Sequence, residues 1–91
     1  MTAADYLNLS LSYHRVRKFH EAIAAAQEAL KLQPDYAEAY NNIAAAYEDL
    51  EMWDLAIEAA NQALKIRPDF ELARNNLLWS QQQKKKAEAR K

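Results

Sequence analysis

The chain is predicted to be all-α, a solenoid of about five helices paired as antiparallel hairpins. Three observations lead there: Gly 0, nineteen alanines, and two prolines, Pro34 and Pro68, standing 34 residues apart in a chain of 91. Tight β-hairpins and phosphate-cradling loops need glycine for positive φ and close backbone approach. Its absence therefore excludes hairpin, Rossmann and P-loop architectures together. A balance of 51% hydrophobic and 27% charged residues suits a single globular domain. The prolines also mark an internal repeat. Residues 3–36 overlie 37–70 without a gap, matching Tyr6 with Tyr40, Asn8 with Asn42, Tyr13 with Tyr47, and Ala29-Leu30-Lys31 with Ala63-Leu64-Lys65.

The elements follow in order from that register. The first helix opens at Thr2, with Asp5 three residues on as its capping partner. The second carries Ala22, Ala26 and Ala29 and ends before Pro34, which cannot continue a helix. Pro34-Asp35 then sets an acidic side chain to cap the third helix, and Pro68-Asp69 does the same for the fifth. In the third helix Tyr40, Ile43, Tyr47 and Leu50 recur every three or four places and form one apolar stripe. In the fourth, Leu55, Ala56, Ala60, Ala63 and Leu64 form another, and its alanines let two helix backbones approach closely. The fifth, expected over 71–86, keeps Asn76 and Leu77 but puts Leu78 where Ser10 and Ala44 stand, and Gln81 where Tyr13 and Tyr47 stand. A small residue is needed at that place only when a helix packs behind it, so Leu78 marks a terminal capping helix. Residues 87–91 read as a polar basic tail, with Lys84, Lys85 and Lys86 complementing the helix dipole.

With Tyr6, Leu9, Ser10, Tyr13, Ala22, Ala26, Ala29 and Pro34 in one repeat, and Tyr40, Ile43, Ala44, Tyr47, Ala56, Ala60, Ala63 and Pro68 in the next, the chain resembles the tetratricopeptide repeat family. The resemblance implies a right-handed superhelix, with residues 1–91 forming one domain whose first helices line a concave groove. It implies a non-catalytic scaffold for a protein or an extended peptide. Asn8, Asn42 and Asn76 then form a row along the groove, similar to the ladder in the superhelical arm of O-linked N-acetylglucosamine transferase. An amide offers both a donor and an acceptor, so such a row can hold a peptide backbone or can link neighbouring helices. By the same register Leu7, Leu11, His14, Arg15, Glu38, Asn41, Ala45, Glu48, Asp49, Leu72, Asn75, Trp79 and Gln82 face the groove. The expected binding set is Asn8, Asn42, Asn76, Leu7, Leu11, Asn41, Ala45 and Trp79, with Leu7, Leu11 and Trp79 receiving apolar side chains. The family's carboxylate clamp for chaperone tails is not matched: it needs Lys and Asn where Leu7 and Leu11 stand, and Lys and Arg where Leu72 and Asn76 stand. The family also favours glycine at the end of each first helix, where this chain has Arg17 and Glu51. Those corners should show left-handed strain, at about 1 kcal/mol each, or a tightened helix end.

Catalytic chemistry finds no footing. Ser10, Ser12 and Ser80 lie in helices without a base and an orienting group; His14 and His20, with no Cys or third His beside them, read as surface side chains, although carboxylates could complete a metal site. No cofactor or metal is expected, and Glu48, Asp49 and Glu51 read as solvated charges. The formal charge is −1, with nine acids between Asp35 and Glu71 opposed by Lys65 and Arg67, so no specific nucleic-acid partner is expected. Nothing reaches a membrane span, the start Met-Thr-Ala-Ala-Asp carries no export signal, and Cys 0 accords with a cytoplasmic setting. A second expectation stands beside the scaffold. The chain is the C-terminal segment of a larger array or enzyme, such as a glycosyltransferase, or a self-associating unit that dimerises or exchanges helices. It rests on a first helix whose Tyr6 and Leu11 have no preceding polar helix to cover them.

Overall fold

The computed structural model describes residues 1–90; Lys91, the last residue of the predicted tail, lies outside them. Five helices follow one another: α1 (Ala3–Arg15), α2 (Phe19–Leu32), α3 (Ala37–Asp49), α4 (Trp53–Ile66) and α5 (Glu71–Ala89). Helix α5 runs three residues beyond the expected end at 86 and takes most of the tail into the helix. No helix among the described residues is long and apolar enough to cross a membrane.

Local chemistry explains most helix ends. Thr2 Oγ1 accepts the Asp5 N–H at 3.1 Å while the Asp5 carboxylate accepts the Thr2 N–H at 2.8 Å, a complete capping box for α1. The bond from the Thr2 backbone holds the Asp5 carboxyl below its ordinary value. Asp35 and Asp69 do not cap α3 and α5, contrary to expectation. The N-cap residues are Tyr36 and Phe70, and neither helix start has a side-chain cap bond. The proline is the cause. Pro34 and Asp35 occupy the middle of a tight turn closed by Tyr36 N–H to Gln33 C=O, which places the acid one residue too early. The second turn, closed by Phe70 N–H to Arg67 C=O, repeats the arrangement.

The two sharp corners behave as the missing glycine foretells. Arg17 has φ 63° and Glu51 φ 57°, the two positive-φ residues of the described chain. Around Arg17, Lys18 N–H donates to Tyr13 C=O and Arg17 N–H to His14 C=O; around Glu51, Met52 N–H donates to Tyr47 C=O and Glu51 N–H to Glu48 C=O. Both corners are Schellman motifs, which satisfy otherwise orphaned carbonyls in exchange for one left-handed residue. Each hairpin is thereby closed in three residues.

Alanine builds the interior. Ala22, Ala26 and Ala29 of α2, Ala39, Ala44 and Ala46 of α3, and Ala56, Ala60 and Ala63 of α4 are buried, joined by Phe19, Ile23, Ile43 and Phe70. Tyr6 and Leu7 pack against this core from α1, so Tyr6 is not the exposed apolar residue expected there. Ser10 does more than stay small: its buried hydroxyl donates to the Ala22 carbonyl at 2.8 Å and ties α1 to α2. Leu78, at the same register place, is 57% exposed, with no helix behind it among the described residues.

Candidate functional site

The packing order defines an inner and an outer row. Helix α1 touches α3, and α3 touches α5, whereas α2 and α4 make no close backbone contact. The first helices therefore form the short side of the curve, and their outward stripe is the groove face.

Along that face three side-chain bonds cross between helices. From α1 to α3, His14 Nε2 lies 2.7 Å from Asp49 Oδ2, and the His14 ring meets Phe19 edge-on at 5.3 Å between centroids. From α5 to α3, Asn76 Nδ2 donates to Asn41 Oδ1 at 2.7 Å, and the buried Ser80 hydroxyl donates to Glu48 Oε1 at 3.0 Å. Glu48 is thus half-buried and bonded, not a solvated charge as expected, and loss of water pushes its carboxyl up to about 7 against the lowering effect of the Ser80 bond. His14 is likewise engaged; His20 is exposed. No group of three side chains that could hold a metal occurs among the described residues.

The expected binding residues occupy unlike environments. Asn8 is exposed on α1. Asn42 is partly buried, and its Nδ2 is a buried donor with no hydrogen-bond partner. Asn76 is committed to Asn41, so one rung links helices. The register explains the contrast: relative to Asn76, the acceptor Asn41 sits 35 residues back, and 35 residues back from Asn42 is Leu7, which has no acceptor. Leu7 is partly buried against the core; Leu11 is 39% and Trp79 52% exposed, with the partly buried Ala45 between them in register. Sequence reasoning missed the Glu48–Ser80 and His14–Asp49 pairs. Their offsets of 32 and 35 residues bracket the repeat length, which is the signal that could have found them.

Two family models, both described as tetratricopeptide repeat, match residues 3–36 and 37–70. The chain belongs to the tetratricopeptide repeat family. No curated protein matches it. Among solved structures, the second tetratricopeptide domain of human RPAP3, in complex with the HSP70 peptide SGPTIEEVD, is similar with a TM-score of 0.84 at 21% identity over 88% of this chain and 67% of that one. The first such repeat domain of Spaghetti (RPAP3), bound to the HSP90 peptide SRMEEVD, gives 0.85 at 26% over 89% and 64%. MamA gives 0.86 at 29% over 91% and 45%. The chain therefore spans between 45% and 67% of the length of these three structures.

Proposed function

We propose that this tetratricopeptide domain is a non-catalytic scaffold that holds an extended peptide along the face formed by α1, α3 and α5. The observation that carries the reading is the inner row itself: three contiguous helices presenting exposed Leu11 and Trp79 beside amide side chains. Packed helices lie roughly 8–10 Å apart and an extended peptide advances roughly 3.3 Å per residue, so one helix meets about every third residue. Asn8 and Asn42 are the working rungs. Asn42 Nδ2 is a buried donor with no protein acceptor, and turning the amide outward would let a peptide carbonyl supply one. Asn76 chiefly links α5 to α3 through Asn41. In this reading the proposed likeness to the ladder of O-linked N-acetylglucosamine transferase is confined to two rungs, Asn8 and Asn42. The two RPAP3 structures hold peptides in the same fold, which supports the mode of binding while leaving the ligand's chemistry open. A cytoplasmic setting stays part of this proposal.

The test is selection of a random peptide library against the domain, followed by amide shift mapping of the selected ligand. Shifts at Asn8, Asn42, Ala45 and Trp79 are expected, and Asn42→Ala should weaken binding by roughly 1–3 kcal/mol through an unsatisfied peptide carbonyl. Ligands that shift only α2 and α4 would sink the reading.

A further inference from the structure

The inner face differs from one built for acidic peptides in the charge it offers. At its register places α3 contributes Glu38, Asn41, Asn42, Ala45, Glu48 and Asp49, α1 contributes one full cation, Arg15, and neither α3 nor α5 places a lysine or arginine there. Glu38 is neutralised from outside the row, by Arg67 at 3.1 Å. Asp49 meets His14. Glu48 is half-buried, yet has only the Ser80 hydroxyl and no cation partner among the described residues. Beside these acids is an apolar saddle: Leu11 on α1 and Trp79 on α5 stand exposed at the register place that Ala45 fills on α3. Alanine between two large side chains leaves room above the middle helix for one apolar group, and Glu48 and Asp49 begin one helical turn beyond it.

We propose that the groove selects an extended peptide in which an apolar side chain, seated over Ala45 between Leu11 and Trp79, is neighboured by a lysine or arginine that meets Glu48 and Asp49. The inference rests on the peptide-binding reading above and adds the chemistry of the partner. Two features converge on it. A half-buried carboxylate that has lost water without gaining a cation is stabilised by an incoming ammonium or guanidinium group. An acidic ligand would bring like charges onto Glu48 and Asp49 at short range, where repulsion is least screened. The occupant is therefore the charge opposite of the peptides SGPTIEEVD and SRMEEVD held by the two RPAP3 structures.

Two amidated, acetylated heptapeptides test this on the unmodified domain at low salt and pH 8, where Glu48 is ionised: one alternating leucine with lysine, the other alternating leucine with glutamate. The lysine peptide is expected to bind at least ten-fold more tightly and to shift Asn42, Ala45 and the Trp79 indole. With Glu48→Gln and Asp49→Asn together, that preference should disappear while leucine-dependent binding remains. If the glutamate peptide binds the same residues equally or better, the charge inference is overturned and the scaffold reading stands. If the lysine peptide shifts only the acidic outer residues of α4, such as Asp54 and Glu58, the site is overturned. If neither peptide perturbs α1, α3 or α5, the scaffold reading falls and this inference with it.

Discussion

The α1–α3 and α3–α5 junctions share one backbone register and differ in what crosses them. Between α3 and α5 two side-chain bonds cross, Asn76 to Asn41 and Ser80 to Glu48. Between α1 and α3 the equivalent places hold Asn42 facing a leucine register, and Ala46 in place of the serine, so neither bond forms and the single link is His14 to Asp49. A repeat therefore transmits helix geometry faithfully through buried alanines while leaving the groove face free to diverge. At the junction with fewer internal bonds, the Asn42 amide donor stays buried without a partner.

The largest way to break the comparison lies in the small-residue place. Ala44 is fully buried, whereas Leu78 in the same register is 57% exposed. Ala44→Leu should cost about 2–3 kcal/mol by overpacking, and Leu78→Ala less than about 0.5 kcal/mol, both read from urea unfolding midpoints. Equal costs would mean that the register place, and not the helix behind it, sets the requirement.

Those two residues also show how far the sequence could be read. Size at Ser10, Ala44 and Leu78, the 34-residue ruler and the glycine-free corners are local or periodic signals, and each predicted its structural outcome. The capping role of Asp35 and Asp69 failed because a proline turn shifted the acid by one residue, a distinction that composition does not carry. The crossing bonds were less legible still. They depend on which rotamer reaches a neighbouring helix, and Glu48 looked like surface charge because nothing within its own helix reveals Ser80 above it.

Glu48 gives the next effect. Its carboxyl moves from 4.5 to about 7 on folding, chiefly through burial. Between those values the folded chain keeps a proton that the unfolded chain has lost, so stability falls as pH rises from about 4.5 to about 7 and is level above. With solvent screening of this half-buried group allowed for, the loss should be about 1–2 kcal/mol. Glu48→Gln retains an acceptor for Ser80. It should match the parent at pH 4 and exceed it by that amount at pH 8, and the difference between the two stability curves isolates Glu48 from every other titrating group. A flat difference curve would show that the carboxylate is solvated in the folded state.

A smaller effect tests the amide contrast directly. A double-mutant cycle of Asn41→Ala with Asn76→Ala should give a coupling of about 1 kcal/mol, as expected for a partly buried hydrogen bond. Asn42→Ala should be nearly neutral in the parent, where the amide donor has no partner. In a Leu7→Asn background the same change should acquire a cost close to that of the α3–α5 pair. An unchanged Asn42→Ala effect in that background would show that the α1–α3 spacing, and not the leucine, prevents the bond.

The smallest effect separates the two corners. Arg17 and Glu51 both hold a left-handed backbone that glycine adopts without a Cβ clash, so each glycine replacement relieves strain. Their side chains are not equivalent. The Arg17 guanidinium lies 5.2 Å from the Phe19 ring centroid, a contact worth about 0.5–1 kcal/mol at an exposed site, while the exposed Glu51 takes part in no ion pair or side-chain hydrogen bond among the described residues. Glycine also widens the unfolded ensemble equally at both sites, which trims both gains. Glu51→Gly should therefore stabilise the domain by about 0.5–1 kcal/mol, and Arg17→Gly by a few tenths at most, because it gives up the stacked cation while relieving the same strain. Thermal midpoints of the two single variants decide the matter: equal gains would show that the Arg17–Phe19 contact adds nothing, and a loss at Glu51 would show that the Schellman corner tolerates glutamate without strain.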